Sequence, residues 1–290
     1  MRPYSGPADL RAMQSLTQRV DPRTSRWHIG ELAWYRYQHL DRDLSWPTAL
    51  WESGGDVLAW AWADPSGSLD LQLDPAHPEL AEEILAWFEE VAEGDARTVT
   101  VLDAETDLIA TLRRHGYRER TGGPFFIHLR RDLDGLPEPR VPGGYVLRPV
   151  RGPADAAARA AVHRAAFSRP DAPSRVTGAA YERMMGVWPY RAGLDWLVEA
   201  PDGLPAAFCL VWLDERNREA VLEPVGTDPG HRRRGLASAA VLGALRAARD
   251  LGAETARVAA RGDDDYPSAR ATYRSVGFRR SARNLVFVRP

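Results

Sequence analysis

Two short groups of residues, a few positions apart, carry the chemistry. Glu223-Pro224-Val225-Gly226-Thr227 closes an apolar, strand-like run. Arg232-Arg233-Arg234-Gly235-Leu236-Ala237 then leads into an unbroken helical pattern. The second group suits an anion. A helix start presents free backbone N–H groups and the positive end of its dipole. Gly235 and Ala237 let a diphosphate lie close to the main chain, successive amides form a nest, and the arginines add charge at the rim. The first group suits an interrupted strand. Pro224 removes a ladder donor and Gly226 weakens a strand interior, so neither belongs in a fully paired central strand. Both fit a bulge where pairing opens and leaves the backbone of Val225, Gly226 and Thr227 free. An extended, amide-bearing arm can pair with that edge as a surrogate strand. Such an arm joined to a diphosphate describes coenzyme A. Taken alone, Arg232 to Arg234 read first as a solvated basic turn; the strand upstream argues for the ligand.

The stretch VGTDPGHRRRGLA resembles the acyl-CoA signature of the GNAT acetyltransferases, R/Q-x-x-G-x-G/A after a bulged strand. Arg232, Gly235 and Ala237 fall on its three fixed positions, and Pro229 on the proline just upstream. A second motif of that family, a helix closing on tyrosine and then Gly-Phe, is matched by ARATYRSVGF, with Ala269, Tyr273, Gly277 and Phe278 in place. The pair is far more specific than the signature by itself. In one departure, Tyr266 stands where many members carry asparagine, at the cost of one polar contact to the pantetheine arm. The resemblance implies direct transfer of an acetyl group from acetyl-CoA to a primary amine of a small molecule or peptide, with no metal. It also implies that Tyr273 protonates the departing sulfur, which a phenol of pKa near ~10 suits. Packing of its helix against the sheet is the plainer role for Tyr273.

Glu223, on the opened strand, is the candidate base acting through water; the alternative is an edge carboxylate paired with an arginine. A backbone N–H near Val225 is the candidate oxyanion donor. His231 is expected to flank the phosphate loop, and His163 to be a packed or surface histidine. Tyr181, Trp188 and Tyr190 either line the acceptor pocket or pack against the first part of the chain. A module that holds acyl-CoA without turning it over is the alternative from another class.

The elements that must position these residues follow the same family order. After a Pro- and Gly-rich linker, residues 135–144, residues 145–290 read as a catalytic GNAT domain: a strand, a helix, three strands joined by hairpin turns, a helix from about His231 to Leu251, a strand, a short helix and two final strands. Residues 1–134 repeat the order in outline. Asp56 to Pro75 give two strands around a Pro-Ser-Gly turn, and Pro78 to Gly94 an amphipathic helix. LRRHGYRER near the end of this half echoes YRSVGFRRS near the end of the other. Where the acyl-CoA signature should stand, LDPAHPELAEEIL offers no glycine or arginine, and Glu79, Glu82 and Glu83 would repel a diphosphate. The expectation is an α/β layered chain of two GNAT-like domains. Each has a mixed, mostly antiparallel twisted sheet flanked by helices, and the C-terminal sheet is splayed at its central strands. The first half is degenerate, a layout similar to that of the mycothiol synthases and other two-domain bacterial GNAT proteins.

Composition excludes several other classes. With 38 basic and 40 acidic residues in 290, no global field points to nucleic acid or to an acidic membrane. Every basic residue apart from histidine is arginine. A single cysteine, Cys209 in AAFCLVWL, rules out an internal disulfide or a cysteine zinc site and reads as a buried thiol. No stretch approaches the ~20 apolar residues that span a bilayer. A soluble, cytoplasmic monomer or homodimer is expected.

Overall fold

Residues 1–40, 46–64, 66–93 and 96–290 are described by the computed structural model; Pro65 of the expected Pro-Ser-Gly turn and Gly94 at the expected helix end lie outside them. The first half contains β1 (Arg2–Pro3), α1 (Pro7–Arg19), α2 (Ile29–Tyr37), β2 (Thr48–Ser53), β3 (Asp56–Asp64), β4 (Ser68–Leu73), α3 (Leu80–Val91), β5 (Arg97–Leu102), α4 (Thr106–Arg114), β6 (Arg118–Glu119) and β7 (Phe126–Asp132). The second contains β8 (Val146–Pro149), α5 (Ala156–Phe167), α6 (Gly178–Met185), β9 (Asp195–Glu199), β10 (Pro205–Asp214), β11 (Glu219–Thr227), α7 (Leu236–Asp250), β12 (Thr255–Arg261), α8 (Ser268–Ser275) and β13 (Arg279–Arg289).

All of this builds one mixed sheet in the order β1-β2-β3-β4-β5-β13-β7-β12-β11-β10-β9-β8, with β6 beside β13. Among the described residues only β4/β5 and β11/β12 run parallel. The halves exchange their last strands. β7, from before the linker, pairs with β12 over seven residues, and β13, the end of the chain, pairs with β5. The two final strands read from the sequence are therefore one. Its first part, Arg279 to Arg283, lies along β7, and its second, Asn284 to Arg289, along β5. At the crossing Asn284 is buried and bonds His128 at 2.8 Å. The linker separates the halves in sequence, while in space each half's part of the sheet is completed by a strand of the other.

β10 is buried on both faces from Ala206 to Asp214. Cys209, Val211 and Leu213 face α7, while Leu210 and Trp212 face a second core built with α2 and α6. Burial of such side chains contributes roughly 1.5–3 kcal/mol each. α7 approaches the sheet closely because Ala240, Ala244 and Ala248 form its inner stripe; a Cβ on Gly243 would stand 2.7 Å from the ring of Trp196. The helix ends at Gly252 (φ +98°), whose N–H and that of Ala253 cap Arg249 and Ala248.

The duplication seen in the sequence is repeated in the backbone. Phe278 N–H bonds Tyr273 O and Gly277 N–H bonds Arg274 O; in the first half Tyr117 N–H bonds Leu112 O and Gly116 N–H bonds Arg113 O. Both glycines have positive φ, +91° and +80°. The same helix ending therefore presents a tyrosine in one half and a buried leucine in the other.

Candidate active site

The β11/β12 ladder stops early. Glu219, Ala220 and Val221 pair with Thr255, Ala256 and Arg257, and beyond that point, among the described residues, β11 keeps β10 alone while β12 stays paired with β7, as it is from Thr255 onward. The parting coincides with a bulge, because Val211 pairs with Leu222 and Cys209 with Val225, so Glu223 and Pro224 together oppose Leu210. Asp228 N–H donates to Ala206 O at 2.8 Å, which sets the phase of the strand past the bulge. Gly226 exchanges bonds with Phe208, and the N–H and C=O groups of Val225 and Thr227 turn away from β10 into the opening. Gly226 itself answers to packing. A Cβ there would meet Phe208 at 2.5 Å and Ala166 at 2.8 Å.

Beyond Thr227 the chain makes a short 3-10 turn, Pro229–His231, held by the Asp228 carboxylate accepting from Gly230 N–H at 2.8 Å. The expected helix from His231 begins only at Leu236, because the intervening residues form a loop. Arg233 (φ +64°) and Gly235 (φ +77°) both sit in the left-handed region, and the first turn of α7 carries no side-chain cap. That leaves the amides of Leu236, Ala237 and Ser238 to an outside acceptor. Arg232, Arg233 and Arg234 are exposed around this loop; Arg232 leans back to Thr227 O and Ala166 O. His231 flanks it, bonding Tyr145 Oη at 2.9 Å.

Glu223 on β11 and Tyr273 on α8 lie near enough for their charges to interact. Tyr273 comes from α8, packs its ring edge against Phe278 and has its pKa raised well above the usual phenol range, first by burial and then by the charges of Cys209 and Glu223. Its hydroxyl makes no hydrogen bond among the described residues. The Glu223 carboxylate likewise has no hydrogen bond or ion pair among them. Burial, with a smaller push from the Glu31 charge, lifts its pKa from 4.5 to about 8. Trp212 Nε1–H fixes the backbone beside it by donating to Glu223 O at 2.6 Å. Of the two roles open to Glu223, the arginine-paired one has no partner here.

The other aromatic candidates are placed differently. Tyr181 is buried, donates to Asp195 at 2.6 Å and packs its ring on Trp34 of α2. Trp188 stacks under Arg11 of α1 at 3.4 Å. Tyr190 packs edge-on to Trp212 and, with Pro153, Glu182 and Met185, lines an open surface cavity of about 410 Å³ that Glu223 and Tyr273 do not reach. Tyr181 and Trp188 thus contact the first half, and Tyr190 lines the cavity. His163 is a packed histidine against Phe208, Phe167 and Trp34, its pKa driven to about 3 by burial and by Arg159. Cys209 is fully buried, which pushes its thiol pKa up.

The family model described as acetyltransferase (GNAT) matches residues 165–278, the span from the end of α5 to Phe278. Over that span the chain is similar to the GNAT acetyltransferase family. A mycothiol acetyltransferase of Kineococcus radiotolerans is 33% identical over 156 residues, which is 53% of this chain and 49% of that protein; the match spans about half the length of this curated relative. Among solved structures, a GCN5-related N-acetyltransferase from Sphaerobacter thermophilus shares the fold over 98% of this chain and 93% of its own, with TM-score 0.62 and 20% identity. A tandem GNAT protein from the clavulanic acid biosynthesis pathway does so over 99% and 97%, with TM-score 0.62 and 17% identity.

The first half keeps the GNAT outline, including an early parting of β4 from β5 after Leu69↔Val99. There, however, the segment Ser25–Trp27 lies against β4: Arg26 and Trp62 Nε1 bind Asp70, and Ser25 bonds Gln72 at 2.6 Å. Glu79, not a glycine, precedes α3. Two side chains that the sequence reading missed, Glu31 and Tyr35, lie in α2 of this half. Their signal was His28-x-x-Glu31, an N-cap followed three residues later by an acidic residue, just ahead of an apolar helix.

Proposed function

We propose that the chain is a cytoplasmic N-acetyltransferase that moves the acetyl group of acetyl-CoA directly onto a primary amine of a small molecule or peptide, with the acyl-CoA site and the catalytic groups in the second half. One observation carries this reading: the ladder opens after Val221↔Arg257 on a strand that runs straight into an uncapped, glycine-entered helix start. The outward groups of Val225 and Thr227 suit the amides of a pantetheine arm, and the loop from Arg232 to Ala237 suits its diphosphate.

In this reading Glu223, at about 8, accepts the proton of the incoming ammonium, directly or through water. The freed nitrogen forms its bond to the thioester carbon, and Val225 N–H bonds the developing oxyanion. The carbon–sulfur bond then breaks, Tyr273, held neutral by burial, gives its proton to the thiolate, and the second proton leaving the nitrogen returns through water to restore the phenol. The plugged opening and acidic helix start of the first half support its having no cofactor of its own. A single buried cysteine fits a reducing compartment, and among the described residues no helix is long and apolar enough to cross a membrane.

Thiol released from acetyl-CoA, measured across a panel of primary amines and matched to N-acetylated product by mass, tests the proposal. Turnover with at least one amine is expected. A thermal shift by CoA with no turnover on a broad panel would favour a binding module instead.

A further inference from the structure

Whatever amine reacts must bring its nitrogen within hydrogen-bond reach of the base, so the neighbours of Glu223 are the neighbours of the acceptor. One set of those neighbours belongs to the first half of the chain, because α2 lies across the mouth of the opening. At its N-cap His28 Nε2 approaches Glu219 O at 3.4 Å on β11. Gly30 sits so close on Trp212 that a Cβ would stand 2.1 Å from that side chain. Glu31 faces Arg257, the last β12 residue paired with β11, at 3.6 Å. One turn on, Tyr35 shares the face of Glu31. It stands edge-on to Trp27 with centroids 5.8 Å apart, is partly exposed and has no hydrogen bond among the described residues.

Charge in this seam is out of balance. Asp70, Glu31, Glu105, Glu219 and Glu223 gather around Arg26, Arg130 and Arg257. Arg26 is held by Asp70, Arg130 by Glu219, and Arg257 is shared between Glu219 and Glu31. Among the described residues Glu223 has no cation, and Glu31 Oε2 is buried without a hydrogen bond.

We propose that Glu31 and Tyr35 form the acceptor side of the active site and select an amine that carries a second cationic centre, as a short diamine does. Glu223 takes the proton of the reacting nitrogen, while the carboxylate of Glu31 and the ring face of Tyr35 hold the other charge. The electrostatics agree: burial is the main cause raising the pKa of Glu223 and of the Tyr35 hydroxyl, Glu31 adds to the first, and Glu223 and Glu31 add to the second. A bound cation offsets the part of each shift that the carboxylates supply. The inference rests on the acetyl-transfer reading above and adds to it the substrate class and the half of the chain that reads it.

The test compares putrescine with n-butylamine, which has the same carbon chain and one charge, on the full-length chain at saturating acetyl-CoA. The wild type is expected to favour putrescine by about tenfold or more in kcat/KM. Glu31→Gln, which keeps a side chain able to cap the start of α2, should bring that ratio close to one without changing KM for acetyl-CoA. Putrescine should also raise the thermal midpoint of the CoA-saturated wild type and fail to do so in Glu31→Gln. Equal use of the two amines by the wild type, an unchanged ratio in Glu31→Gln, or a CoA-stabilised protein that neither amine engages would each overturn the inference. A failure of acetyl-CoA to bind at all is a different result, and it would remove the acetyl-transfer reading together with this one.

Discussion

Replacing Glu223 with glutamine should make the protein more stable in alkaline solution while it removes the base. Folding lifts this carboxyl from 4.5 to about 8, so the native state holds its proton more tightly than the unfolded chain does. The group's contribution is then fully present below about 4.5, declines as pH rises, and is lost above about 8. Taken at face value the difference corresponds to about 5 kcal/mol. Water reaching the carboxylate through the opening reduces that to about 2–3 kcal/mol. In a chain of this size each kcal/mol moves the midpoint by roughly 2 °C. Glu223→Gln should therefore unfold about 4–6 °C above the wild type at pH 9, with the gap closing to within about 2 °C at pH 5. Thermal unfolding followed by circular dichroism at the two pH values measures this directly. A gap that is the same at both, or a variant less stable at pH 9, would refute the picture of a carboxyl held without a cation.

Tyr273→Phe should lower kcat about 10- to 100-fold with KM for acetyl-CoA nearly unchanged, since only the proton donor is removed; steady-state kinetics with any accepted amine would show it. Gly226→Ala should cost about 1–3 kcal/mol in chemical denaturation, because the added Cβ lands 2.5 Å from Phe208 on a strand that cannot retreat. A truncated chain of residues 145–290 should aggregate or fail to fold. It loses the seven-residue ladder that β7 makes with β12, along with Ile127 and Leu129 from the core under α7. Size-exclusion chromatography of that fragment beside the full chain checks it.

The C-terminal half was legible because its signals are local. Pro224 and Gly226 in an apolar run, Gly235 at a helix start and Gly277 after a helix each mark a backbone event set within a few residues. Gly226 was read with the right strand and the wrong reason, since tight packing against Phe208 comes from a neighbouring strand that spacing along the chain does not reveal. The helix start at Leu236 was placed five residues early because Arg232 to Gly235 have a composition that suits a helix as well as a loop. The strand exchange left no local trace either. β7 and β13 look like ordinary last strands, and only the sheet order tells which half each completes. Glu31 and Tyr35 escaped notice because their partners Arg257 and Glu223 stand about 200 residues away in sequence.

Backbone hydrogen exchange across residues 222–237, followed by mass spectrometry with and without CoA, bears most directly on the central claim. The opening beside β11 and the loop before α7 should gain protection together on addition of CoA, through the amides of Val225 and Thr227 and those at the start of the helix. Protection elsewhere in the chain with none in this segment, or no change at saturating CoA, would contradict it.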